Sequence, residues 1–204
     1  MRRRCSQGSP EMIEIDMLSR MIERMKRDAK RWEQCKALFR TQTFPAKTVL
    51  LGEGEIARTM YIVREGCLRL WFNKEGEDIT FQFFFENQAV SSFESFFGDQ
   101  PSIFTLESIE PTTAITISRG DWGTLYDIYP ELQESFHEIL IQRMGSYAKL
   151  FLSMIKNTPR ERYEALQKEQ PEILRRVSQR YIASYLGITP VSLSRIRGRI
   201  ARDL

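Results

Sequence analysis

The chain has 204 residues, 42% of them hydrophobic and 11% aromatic, with 30 Lys+Arg against 27 Asp+Glu, a net charge of +3 and a single histidine. That length and apolar content suffice for a sizeable buried core and for one large and one small domain. No apolar run approaches the roughly 20 residues of a membrane span, and Met1-Arg-Arg-Arg-Cys5 lacks the apolar stretch of a secretion signal, so a cytoplasmic protein without a membrane partner is expected.

Residues 11–40 place Met12, Ile15, Leu18, Ile22, Met25, Trp32 and Leu38 at helical spacing among charges, which predicts an N-terminal helical segment over 1–44 packed on the body. The first ten residues carry no periodic signal and are expected to be mobile. Past Pro45 the pattern turns to period two. Thr48–Leu51, Met60–Val63, Cys67–Phe72, a strand with Ile79, Phe81, Phe83 and Phe85 on one face, Ile103–Ile109 and Thr112–Ser118 alternate with turns at Gly52–Glu55, Arg64–Gly66 and Asn73–Gly76. Short strands at this spacing predict an antiparallel jelly roll or barrel over 45–128. A long helix follows over 129–157, with Pro130 at its first position. Phe136, Leu140, Met144, Tyr147, Phe151 and Met154 lead an apolar stripe too broad for one neighbour. Ile141, Ala148 and Leu152 add a second apolar side; one side can pack on the barrel, and the other then needs a partner, most simply the same helix of a second subunit.

Residues 158–204 read as a DNA-binding module of short helices. Ala183 lets a second helix cross closely, Gly187 suits the left-handed end of the first, and Thr189 and Pro190 open the next. Ile182 and Leu186 face inward from one helix, Leu193, Ile196 and Ile200 from the other, and Ile188 fills the corner. That is a helix-turn-helix, whose second helix enters the DNA major groove. The opposite face carries Val191, Ser194, Arg195, Gly198 and Arg202. Arg195 has the donor fork for a guanine, while Pro190 and Val191 offer apolar contact to a thymine methyl and Ser194 completes the reading face. Gln179, Arg180, Thr189 and Ser192 sit at helix starts and, with Arg197 and Arg199 on the flanks, suit phosphates. Charge agrees with this division: Lys156 to Leu204 carries 11 Lys+Arg against 5 Asp+Glu, leaving 19 against 22 for residues 1–155.

Gly54-Glu55, Tyr61-Ile-Val with Gly66, and Ile182-Ala-Ser-Tyr-Leu-Gly-Ile-Thr-Pro-Val-Ser-Leu-Ser-Arg195, in this order of parts, resemble the Crp/Fnr superfamily of bacterial transcription regulators over residues 45–204. The resemblance implies an α+β chain: a cyclic-nucleotide-binding-like barrel, a dimerisation helix, the linker Pro159–Tyr163 and a winged-helix-like helix-turn-helix. It further implies a homodimer on a near-palindromic site, Arg195 as the base-reading arginine, an effector sensed in the barrel and RNA polymerase as a further partner. Only nine residues follow Arg195, so the wing is expected to be truncated.

The effector is where this chain departs from the family. Family members that bind cyclic nucleotides hold the sugar with a Gly-Glu pair and the phosphate with an Arg followed by Ser or Thr. Here Phe93 precedes Glu94, and Pro101, Ser102 or Ile103 takes the place of the Arg. No Lys or Arg lies between Lys74 and Arg119, an interval that holds eight acids. A phosphodiester buried there would meet only backbone N–H groups, which argues against cyclic AMP. The matching region leaves Phe83, Ser91, Ser92, Glu94 and Ser102 as effector-pocket candidates, with a phenylalanine-filled core as the plainer reading.

Cofactors and catalysis are not expected. Three scattered cysteines, Cys5, Cys35 and Cys67, fall short of an iron–sulfur ligand set and of a zinc site, and His137 alone cannot build a metal-dependent barrel enzyme. No nucleophile–base pairing and no glycine-rich phosphate loop appears, so the chain is read as a non-enzyme. The competing reading is a barrel that acts through a protein partner and carries a degenerate helix-turn-helix.

Overall fold

In the computed structural model, residues 21, 22 and 24–203 are described. Helix α1 (Ala29–Cys35), capped by Asp28, and a single 3-10 turn lead into eight strands: β1 (Arg40–Phe44), β2 (Val49–Leu51), β3 (Thr59–Glu65), β4 (Leu68–Lys74), β5 (Glu77–Phe84), β6 (Ala89–Val90), β7 (Thr105–Ser108) and β8 (Thr112–Ser118). They form two antiparallel four-stranded sheets, ordered β1-β8-β3-β6 and β2-β7-β4-β5. Met60, Ile62, Val63, Leu68, Leu70, Leu106 and Ile117 fill the space between. The expected antiparallel double sheet is thus present. It starts at Arg40, where β1 pairs with β8, rather than past Pro45. Of the N-terminal stripe, Ile22 and Met25 are buried against this core and Trp32 and Leu38 are half-buried on it; Met12, Ile15, Leu18 and residues 1–10 lie outside the described residues.

Two turns explain the register. Glu75 and Gly76 both take positive φ between the paired Lys74 and Glu77, a two-residue hairpin turn that twists with its strands. Gly66 has φ +99°, and a Cβ there would lie 2.6 Å from both Pro111 O and Thr112 Oγ1, so only glycine fits. One irregularity matters downstream. Leu70 pairs with Gln82 and Trp71 with Thr80, which leaves Phe81 unopposed in a bulge. The expected single face of Ile79, Phe81, Phe83 and Phe85 is therefore split. Phe81 stacks on Phe104 within the barrel, while Phe83 and Phe85 join a second apolar cluster outside it.

The remaining helices are α2 (Phe93–Gly98), α3 (Arg119–Ile128), α4 (Leu132–Lys156), α5 (Pro159–Glu169), α6 (Pro171–Arg176), α7 (Gln179–Tyr185) and α8 (Pro190–Asp203). With 25 residues, α4 runs about 38 Å. Its C-cap is Asn157, as the sequence suggests, but it begins after Pro130, at Leu132. The anticipated linker over Pro159–Tyr163 is instead the first turn of α5: Thr158 and Glu161 form a reciprocal capping box and Pro159 sits at the first position, where it costs no hydrogen bond.

The faces of α4 are set at a different phase from the expected one. Phe136 is buried among Phe93, Phe97 and Trp122, Leu140 packs half-buried on the barrel core, and Tyr147 lies 5.1 Å from the Phe81 ring. These three pack toward the barrel, Phe136 buried and Leu140 and Tyr147 half-buried. Of the six, Met144, Phe151 and Met154 remain exposed, joined by Ile141, Leu152 and Ile155. Ile141, Met144, Ala148, Phe151 and Ile155 alternate in steps of three and four, the spacing of a coiled-coil seam.

Candidate nucleic-acid interface and barrel interior

The last helices fold as their local sequence dictates. Ser178 caps α7 through its side chain, and Gly187, at φ +64°, turns the chain out of it. Thr189 Oγ1 accepts the Ser192 N–H at 3.2 Å and its carbonyl accepts the Leu193 N–H, which caps α8 ahead of Pro190. Ala183 and Leu193 are fully buried where α7 and α8 cross, flanked by Ile182 and Leu186, with Ile188, Ile196 and Ile200 half-buried around them. This is the helix-turn-helix geometry.

Its outer face is open. Pro190, Val191, Ser194, Arg195 and Gly198 are exposed on α8, as are Gln179 and Arg180 at the start of α7. Among the described residues, Arg195, Arg197 and Arg199 have no acidic partner, so their charge is directed to solvent. Arg202 differs: its Nε donates to Gly198 O at 3.0 Å and holds it along the helix. Thr189 and Ser192 hydroxyls lie 3.0 Å apart and share the cap, so a phosphate would compete with that bond. The base-reading and phosphate candidates are thus exposed, apart from Ser192, which is half-buried.

The barrel candidates do not converge in the same way. Phe83 faces outward against Tyr185 of α7, ring centroids 5.4 Å apart, and is no part of the interior. Ser92, Glu94 and Ser102 do come together, but on one another: Ser102 Oγ is 2.6 Å from Ser92 Oγ and 2.7 Å from Phe104 O, and Ser92 donates to Glu94. Ser91 donates to Thr59 O. Ser91 borders a space of about 140 Å³ between Leu51, Glu55, Tyr61 and Leu106. Sites for drug-sized ligands are about 300–1,000 Å³.

Two buried cations escape a count restricted to residues 75–118. Arg143 reaches from α4 to the barrel, 3% exposed, where it donates to Ala89 O at 2.9 Å and lies 4.6 Å over the Phe93 ring. The expectation that a phosphodiester would meet only N–H groups in the barrel is to that extent incomplete. Arg69 of β4 is fully buried, with Nη2 2.9 Å from Glu107 and 3.6 Å from Asp78. Its outward position in the alternating run Leu68-Arg-Leu70 gave no hint of burial, because α7 covers it. Cys67, near Glu86, Glu110 and Arg176, has its thiol pushed well up by burial, and His137 is exposed on α4. Among the described residues no cluster of His, Cys, Asp and Glu could hold a metal, and no helix is long and apolar enough to cross a membrane.

The double-sheet barrel, the long helix with an exposed seam and the helix-turn-helix with an open basic face stand in the order that the resemblance of the sequence implies. Residues 41–129 match the cyclic nucleotide-binding domain family, which accounts for the barrel. The chain is similar in fold to CLP, a c-di-GMP-responsive global regulator of Xanthomonas campestris, with a TM-score of 0.68 at 17% identity over 86% of this chain and 93% of that one. It is similar to a CooA mutant from Carboxydothermus hydrogenoformans at 0.67 and 15%, covering 81% and 78%. FixK2 from Bradyrhizobium japonicum follows at 0.62 and 19%, covering 81% and 85%. No curated protein matches the chain significantly by sequence.

Proposed function

We propose that this chain is a sequence-specific, DNA-binding transcription regulator that acts as a homodimer. The observation that carries the reading is the exposed face of α8, where Arg195 stands free beside Val191 and Ser194 on a helix capped and packed as a recognition helix. Arg195 presents two parallel N–H donors to guanine O6 and N7, an interaction worth about 1–3 kcal/mol of discrimination. Pro190 and Val191 add methyl contact, and Gln179, Arg180, Thr189, Ser192, Arg197 and Arg199 fix register on phosphates. The seam of Ile141, Met144, Ala148, Phe151 and Ile155 supports pairing of two α4 helices, which would present two reading helices to a twofold-symmetric site.

The barrel serves as scaffold or sensor, and cyclic AMP is not its effector. Its candidate serines are already committed to protein acceptors, and the space beside Ser91 is smaller than a nucleotide needs. Fluorescence anisotropy on a labelled duplex across a salt series tests the DNA reading. Arg180, Arg197 and Arg199 from two subunits make six cations available to phosphates, which predicts a loss of about a thousandfold in affinity between low and physiological salt. Salt-independent binding, or none at low salt, would refute it.

A further inference from the structure

The helix-turn-helix is not tethered by α4 alone; it is seated on the outer face of β4 and β5. Besides the Phe83–Tyr185 ring contact, three sets of polar contacts cross that junction. The guanidinium of Arg69, held on the barrel by Glu107 and Thr80, lies 3.8 Å from the ring centroid of Tyr181 of α7. Ser184 of α7 accepts the Thr80 N–H and donates to Asp78 O, both at 2.8 Å, and so pairs backbone groups of β5, an edge strand of its sheet. Arg176 of α6 grips both carboxylate oxygens of Glu86 at 2.8 Å and also bonds Glu110, and Glu86 in turn accepts the Gly66 N–H.

These polar contacts lie beside the apolar cluster of Phe83, Phe85 and Tyr185, and they depend on one another. Arg69 is fully buried with a carboxylate at hand, and its Nε has no hydrogen-bond partner, so its solvation relies on Glu107, Asp78 and the Tyr181 ring. If α7 lifts, the ring face goes and water must replace it, while Thr80 loses its acceptor. With these contacts made, Gln179 and Arg180 at the start of α7 stay exposed, and so do Val191, Ser194 and Arg195 on α8. The seated pose therefore leaves Arg195 and its neighbours on the reading face open to DNA.

We propose that Arg69, Tyr181, Ser184 and Arg176 form an interdomain latch that holds the helix-turn-helix on the barrel in the pose in which it reads DNA. This rests on the DNA-binding reading above. Tyr181 and Arg176 act as positioning residues: through the α7–α8 crossing they fix where Arg195 stands relative to α4. A change in the β4–β5 sheet would reach the reading helix by this route.

Amide hydrogen exchange at Thr80 reports the latch directly, because its N–H is donated across the junction. Tyr181→Ala is expected to speed exchange at Thr80 about ten- to thirtyfold, the worth of a desolvated cation–π contact, while amides of Leu106 in the barrel core stay as in the wild type. Tyr181→Phe keeps the ring and should restore wild-type protection. Adding a mixed-sequence duplex at low salt should slow exchange at Thr80 in the wild type. A Thr80 rate within twofold of wild type in Tyr181→Ala, or faster exchange at Thr80 on adding DNA, would overturn the latch. Failure of the DNA-binding reading has a different signature: no anisotropy change with the same duplex, while the Tyr181→Ala effect on Thr80 persists.

Discussion

If two α4 helices pair, Phe151 lies within the seam, and its truncation tests that pairing quantitatively. The side chain is 65% exposed in the isolated chain, with Ile155 at 66% and Met144 at 70% on either side. Full burial of a phenylalanine stabilises by about 1.5–3 kcal/mol, so covering its exposed two thirds contributes about 1–2 kcal/mol. A twofold interface contains the residue twice, which brings the loss for Phe151→Ala to about 2–4 kcal/mol, or about 30- to 700-fold in the dimer dissociation constant. Sedimentation equilibrium on wild type and variant measures this, with Phe136→Ala as a contrast that lowers stability through the barrel core instead. A wild type that stays monomeric at high concentration, or a dimer unchanged by Phe151→Ala, would refute the seam.

Three further outcomes are expected. Gly66→Ala combines backbone strain with a clash against Pro111 O and Thr112, and should cost about 3–5 kcal/mol in denaturant unfolding, whereas Gly76→Ala, at φ +91° in open space, should cost about 1–2 kcal/mol; equal losses would contradict the packing at Gly66. The Arg176 hydrogen bonds hold the Glu86 carboxyl below its usual 4.5, so Glu86 contributes stability above that pH and loses it as the pH falls through the lowered value. The stability difference between wild type and Glu86→Gln should therefore shrink below about pH 4.5 and stay flat above it. Cyclic AMP at millimolar levels should leave the melting temperature unchanged; a saturable rise would show a site for it.

How much of this was legible in the sequence depends on whether the signal was local. Gly187, Thr189-Pro190 and the spacing of Leu193, Ile196 and Ile200 encode their structure within a few residues, so the helix-turn-helix and its exposed face could be read directly. The alternation of the strands was equally local, and so was the extent of α4 to within two residues at its start. What failed depended on distant partners. Phe136, Leu140 and Tyr147 are as apolar as the seam residues, and only the barrel surface decides which side of α4 faces inward. Phe83 was assigned to an interior because the bulge at Phe81, one residue deep in a hairpin register, reverses the faces beyond it. Arg69 and Arg143 are buried by elements that contact them from far along the chain, α7 and the barrel wall, and composition counts over a contiguous interval could not include them.

The central claim is that Arg195 reads a base on a twofold-symmetric site. Selection from random DNA with the wild type and with Arg195→Ala tests it most directly. The wild type should enrich a near-palindrome with a fixed guanine in each half-site, and Arg195→Ala should lose that guanine preference by about tenfold or more while keeping the symmetry. Enrichment of no sequence by either protein, or of the same guanine by both, would contradict the account.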